Sequence, residues 1–280
     1  SGASWDSSTA NWLDAGNNAV AWQPGAEAQF TGTGGLVNIA GDVSATNLTF
    51  TGNGYVLLGA GRLSLEGSIS SAAATTNCLA ADLLTVSGLA KTGAGALALT
   101  RCTGPLAVQQ GSLLVSSSLF ADADLSVAAG ASLVTLGDPD NAANLLLNPS
   151  FEYPALGSGS YAYANSTAIS NWTVTVRSDM VARENTTTAN AWNAAGASPD
   201  GAHMLILQYQ GAVAQTVTVA TDGLYSLAFS HLLRSGYLEN QVYVSLDGLP
   251  LASFLNRGVQ FAPGRFSSGA LWLKAGSHTV

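Results

Sequence analysis

From Leu36 to Leu136 one short unit keeps returning, a glycine or other turn residue followed by apolar-x-apolar. It reads Leu48-Thr-Phe50, Gly61-Arg-Leu63-Ser-Leu65, Leu84-Thr-Val86, Gly95-Ala-Leu97-Ala-Leu99, Gly104-Pro-Leu106-Ala-Val108, Gly111-Ser-Leu113-Leu-Val115 and Leu125-Ser-Val127. Alternation at period two marks strands with one buried face. Strands this short do not make a stable hairpin alone, but stacked in coils they bury a continuous column of Leu and Val. Glycines then supply the corners. The spacing therefore predicts a parallel β-solenoid (β-helix). The same alternation also fits a sandwich of many short strands, and the absence of any long strand in this stretch favours the solenoid.

Helix periodicity is nearly absent along the whole chain, so the fold class is all-β. Hydrophobic residues make up 47% and charged residues only 9% of the 280 positions, well under the roughly one quarter usual for soluble domains. The surface is polar without being ionic. A net charge of -8 repels phosphate backbones, which argues against a nucleic-acid partner. No apolar run reaches the length of a membrane-spanning helix. The chain starts at Ser1 with neither an initiator Met nor a basic-then-apolar leader, and reads as a processed or excised segment.

Residues 1–35 break the pattern with Trp5, Asn11-Trp12, Trp22, Pro24-Gly25 and Phe30. They read as an aromatic cap over the first coil, which would otherwise expose its apolar column and strand edges. Lead-in and repeat together carry a resemblance. The lead-in is Asn11-Trp12, Trp22-Gln-Pro-Gly25, Ala28-Gln-Phe30, Ala45-Thr-Asn-Leu-Thr-Phe50, Gly54-Tyr55 and Gly61-Arg-Leu-Ser-Leu65. The repeat core is Gly88-Leu-Ala-Lys-Thr-Gly-Ala-Gly-Ala-Leu-Ala-Leu-Thr100 and Gly111-Ser-Leu-Leu-Val115. Residues 1–136 resemble the autotransporter-associated β-strand repeat proteins of Gram-negative and related bacteria. Arg101-Cys102-Thr103 replaces the family's usual turn. The resemblance implies a secreted, stalk-like passenger at the outer cell surface.

At Gly137-Asp-Pro-Asp-Asn141 turn formers cluster, and residues 137–143 read as a linker. Beyond it, over 144–280, longer and more aromatic strands alternate with turns such as Thr221-Asp-Gly223 and Asp247-Gly248. This spacing predicts an antiparallel β-sandwich. Asn148-Pro-Ser-Phe-Glu152, Ile169-Ser-Asn-Trp172, Pro199-Asp-Gly201, Gln215-Thr-Val217 and Gly223-Leu-Tyr-Ser-Leu-Ala-Phe229 resemble jelly-roll carbohydrate-binding modules and their galactose-binding-like relatives. In such modules a further strand follows "AGxHTV", so the sandwich is expected to lack its last strand.

That second resemblance implies sugar binding, which needs aromatic faces beside hydroxyl-pairing groups. Tyr161, Tyr163, Trp192, Tyr209 and Tyr237 fall in expected loops and supply such faces, with Gln208, Arg234 and Asn240 to orient hydroxyls. Each fits equally the bland role of loop anchor or exposed polar group. Trp172, opening an alternating strand, belongs to the core or a sheet face. Glu152 and Asp247 offer hard oxygens for a structural calcium ion, although no clustered acidic ladder marks a site. No other cofactor is expected. Cys78 and Cys102 read either as two buried apolar thiols or as a bridge between neighbouring rungs, since 24 residues is about one coil.

Enzymatic signatures are lacking. His203, His231 and His278 have no recognisable nucleophile partner, and no catalytic residue is assigned. The expected function is a non-catalytic, extracellular bacterial surface protein, a solenoid stalk presenting a sandwich that recognises glycan or another surface component. A self-associating subunit of a surface layer or filament is the alternative, and a β-helix polysaccharide lyase or hydrolase the third.

Overall fold

Parallel pairing dominates the first half of the computed structural model, which describes residues 3–85, 87–115, 124–135, 144–188, 198–233, 239–256 and 264–280. One 14-stranded parallel sheet winds through about five turns over residues 26–135 and forms three faces. The first face stacks Ala3–Trp5, Leu36–Ile39, Val56–Leu58, the start of Thr76–Thr85, the start of Ala96–Thr103, Ser112–Val115 and Ser132–Thr135. The second stacks the start of Val43–Phe50, Arg62–Leu65 and the ends of Thr76–Thr85 and Ala96–Thr103. Ala26–Phe30, the end of Val43–Phe50, Ser68–Ser71, Leu89–Thr92, Leu106–Val108 and Leu125–Val127 make the third.

Alternation fixes what each face buries. Inward columns run Val37, Leu57, Leu79, Leu99, Val115 on the first face and Val43, Leu63, Leu83, Cys102 on the second. The third face contributes Leu48, Ile69, Lys91, Val108. All but Lys91 belong to one contiguous apolar core. Trp5, Trp12, Trp22 and Phe30 pack at its first coil, with indole centroids 4.6–5.0 Å apart. Trp22 Nε1 donates to the Ser44 carbonyl at 3.0 Å and so ties this cluster to the next coil.

Lys91 is fully buried among leucines. Its ammonium donates to the carbonyls of Gly93 (2.8 Å), Gly95 (2.6 Å) and Gln110 (3.0 Å), two corners of successive coils. A buried ammonium survives only with such partners.

The second half is antiparallel. Tyr161–Tyr163, Val181–Asn185 and His203–Leu207 form a three-stranded sheet, and Thr173–Val176 pairs with Ala212–Ala214. Four further pairs join Thr216–Val219 to Gly276–Thr279, Gly223–Tyr225 to Leu271–Leu273, Ala228–His231 to Gly264–Ser267, and Asn240–Leu246 to Leu249–Asn256.

The two halves share a core. The outward column of the first face, Leu36, Val56, Cys78, Ala98, Leu114, Val134, is itself apolar. Val56, Leu58, Cys78, Ala80 and Ala98 are buried against Val219, Leu246, Leu251, Ala270, Leu271 and Leu273. The Cys78 thiol donates to the Ala270 carbonyl at 2.8 Å, and Lys274 Nζ reaches the Gly34 carbonyl at 2.9 Å. Strands Val56–Leu58 and the middle of Thr76–Thr85 are thus buried on both faces, as parallel strands commonly are.

The bridge between Cys78 and Cys102 does not form; both thiols are free and buried. Cys78 lies beside Ala98 and Cys102 beside Leu83, so one coil here takes 19 or 20 residues rather than 24. Cys78 points outward into the shared core and Cys102 inward into the solenoid. Burial pushes the two thiols up to about 12 and about 11, which makes them inert.

Candidate functional site

Antiparallel register sorts the three-stranded sheet into two chemically different sides. Paired residues share a side, so Tyr161, Glu184 and Met204 stand with Tyr163, Ala182 and Ile206 on one, and Arg183, Asn185 and His203 on the other.

The second side is a structural knot. Arg183, almost fully buried, donates to the carbonyls of Phe151 (2.7 Å) and Pro154 (2.6 Å). Asn185 donates to the Leu156 carbonyl at 2.8 Å. Glu152 Oε1 accepts the amides of Ala202 (2.8 Å) and His203 (2.9 Å), while Oε2 lies 2.6 Å from His203 Nδ1. His203 Nε2 accepts the Leu156 amide at 3.0 Å. Both ring nitrogens are committed, so this imidazole has no free lone pair for proton abstraction. Burial works against the Glu152 charge, but the His203 and Ala202 donors outweigh it and hold the carboxyl below its ordinary value.

Asn148 closes the same knot, donating to the Tyr153 and Ser170 carbonyls at 3.0 and 2.9 Å. Trp172 Nε1 donates to the Asn148 carbonyl at 3.0 Å, and its ring packs 5.1 Å from Phe151. The segment Asn148-Pro-Ser-Phe-Glu152 is therefore an anchor.

On the first side lie the groups suited to a ligand. Tyr161 and Tyr163 sit on a strand rather than in a loop, their rings edge to face with centroids 6.0 Å apart. Gln208, just past the His203–Leu207 strand, donates to Tyr163 Oη at 3.3 Å. Tyr209 follows at φ 48° and is 90% exposed. Tyr161, Tyr163 and Gln208 are brought together, with Tyr209 beside them in sequence. Asn240 begins a hairpin of a separate sheet. Trp192, Arg234 and Tyr237 lie outside the described residues.

Glu184, which the sequence offers with Glu152 as a formally possible glycosidase pair, lies on this sheet. It is fully buried on the tyrosine side, opposite the side of Glu152, so these two carboxylates do not face one another as a glycosidase pair would. The signal was present in Arg183-Glu-Asn185, three polar residues inside a strand.

The same geometry shows what holds the two carboxylates considered for calcium. Glu152 is occupied as described, and Asp247 is taken by His278 Nδ1 and the Thr279 amide, each at 2.8 Å. Each carboxylate serves its own histidine, and neither is assigned as a metal ligand. Among the described residues no group of three His, Cys, Asp or Glu gathers. On the solenoid, a shallow groove of about 460 Å³ follows the third face past Ala90, Pro105, Ala107 and Ser126, away from the tyrosines.

Residues 144–257 match DUF642, a protein family of unknown function. The DUF642 match begins at the anchor segment, takes in both sides of the three-stranded sheet and the hairpin of Asn240, and includes none of the solenoid. Searches of curated proteins and of solved structures found no match.

Proposed function

We propose that the chain is a non-catalytic, extracellular bacterial surface protein in which the solenoid is a rigid mount for a glycan-recognising antiparallel module. The observation that carries this reading is the cluster of Tyr161, Tyr163 and Gln208, contributed from the two outer strands of the three-stranded sheet, with exposed Tyr209 next in the chain. Tyrosine rings stack on the C–H faces of pyranoses, and an amide beside them pairs with hydroxyls. The commitment of both ring nitrogens in His203 and in His278 supports recognition rather than turnover.

The test is a glycan array probed with the whole chain, since residues 144–280 share a core with the solenoid. Binding is expected, and Tyr163→Ala is expected to weaken it at least about tenfold through loss of one stacking surface. A folded chain that binds no glycan, or a Tyr163→Ala chain that binds as well as the unsubstituted one, sinks the reading.

A second reading, a self-associating surface subunit, is favoured by the last coil. Its strand Ser132–Thr135 is exposed along its length, with Leu133, Val134 and Val127 at the surface. Open parallel edges accept further strands. Under this reading sedimentation shows concentration-dependent assemblies, and a Val134→Lys variant stays monomeric.

A further inference from the structure

Besides Val219, two segments carry the contact of the antiparallel half with the solenoid. One is the hairpin Asn240–Leu246/Leu249–Asn256, through Leu246 and Leu251, and the other the stretch 270–274. His278 joins them. Its Nδ1 lies 2.8 Å from Asp247 Oδ2, in the hairpin turn, and its Nε2 lies 2.8 Å from the Lys274 carbonyl. A carboxylate and a carbonyl only accept. A neutral imidazole has one N–H and must turn a lone pair on one of them, whereas the imidazolium satisfies both.

The surroundings reinforce the bridge. The Asp247 amide donates to the Thr279 carbonyl and Asp247 Oδ1 accepts the Thr279 amide, both at 2.8 Å. Beside Asp247, Lys274 turns its ammonium to Gly34 of the solenoid, and Asp222 accepts the Ala275 amide. The imidazole side chain is 14% exposed, so water does little to replace a lost bond.

We propose that His278 is a proton-operated clasp, tying the hairpin turn to the 270–274 stretch and so holding the antiparallel half on the solenoid. Burial opposes the imidazolium, but the Lys274 carbonyl and the Asp247 carboxylate outweigh it and raise His278 above its ordinary 6.5. A group whose folded value is raised stabilises fully below its unfolded value, and that stabilisation is lost as pH rises through the folded one. The clasp is closed in mild acid and opens toward the alkaline side.

Cys78 reports the state of the junction, because its thiol is buried under Ala270. The experiment labels the whole chain carrying Cys102→Ala with a thiol reagent, with and without His278→Gln. Taking the ratio of the two rates at each pH cancels the titration of the thiol. At pH 6 the His278→Gln chain is expected to label on the order of tenfold faster, the effect of losing a charged hydrogen bond. By pH 9 the ratio falls to one. A ratio equal at both pH values overturns the clasp. So does an NMR titration of the unsubstituted chain that places the His278 midpoint at or below 6.5, a measurement needing no variant to fold.

Discussion

Lys91 occupies a position in the third-face column that Ile69 and Val108 fill in the adjoining coils. Truncation to Ala would leave a cavity and take the ammonium from three carbonyls, of which Gly95 keeps the Ser112 amide at 3.3 Å. We expect Lys91→Ala to cost about 3 kcal/mol, measured by urea unfolding. Burial pushes the Lys91 ammonium down from 10.5 to about 8. Between those values the unfolded chain binds more protons, so stability attributable to Lys91 rises with pH from 8 to 10.5, and that rise should be missing from Lys91→Met. Glu152 gives the same sign of pH dependence for the opposite reason, since there the fold favours the charged form. Its lowered carboxyl contributes stability above the ordinary 4.5 that is lost as pH falls through the folded value; Glu152→Gln should flatten that acid limb in a pH series of melting temperatures. At this scale legibility was uneven. The alternation Leu89-x-Lys91 puts Lys91 inside, yet nothing nearby in sequence names its acceptors, which come from two corners and two coils. For the cysteines the reading as two buried thiols holds and the bridge does not, because a coil of 19 or 20 residues puts 24-residue neighbours on different faces.

The coil itself is the unit that the repeated apolar-x-apolar made legible, and its corners are where single atoms matter. Gly104 has φ 104°, and a Cβ there would be driven into the Thr85 carbonyl of the coil before it. Gly130, also at positive φ, has nothing within 4 Å of such a Cβ. Gly104→Ala is therefore expected to cost about 3 kcal/mol or more and Gly130→Ala about 1 kcal/mol, the second being strain alone. Equal losses in denaturant midpoint would refute that account. The continuous apolar runs Val56-Leu-Leu58 and Cys78-Leu-Ala-Ala81, which fall outside the apolar-x-apolar units, held a further signal, strands covered on both faces. In the antiparallel half, Arg183-Glu-Asn185 displayed three polar residues in a row but not what would meet them. Polar residues enter a core when distant carbonyls meet them, and for Arg183 and Asn185 those belong to Phe151, Pro154 and Leu156.

At the scale of the whole molecule, the shared core makes the solenoid and the antiparallel half one thermodynamic unit. Leu58, Leu271 and Leu273 are each buried there, contributing about 2 kcal/mol apiece. We expect one cooperative thermal transition for the chain. Leu58→Asp, which places a charge in that core, should split it into two, with the antiparallel half melting first; a single transition in the variant would count against a shared core. A change in strand length and aromatic content marked where the solenoid pattern gives way. Nothing in the pattern showed that the second half would lie along the first, because an outward leucine names no partner.

The aromatic cluster of Trp5, Trp12, Trp22 and Phe30 also has a meaning in time. Synthesis delivers it before the coils it covers, so every later coil is laid on a finished template and the solenoid grows by addition, without waiting for distant residues to close a long loop. The outward column of Val56, Cys78 and Ala98 is then complete well before residues 246–273 emerge to cover it. That interval, set by the rate of elongation, is when the nascent chain is stickiest.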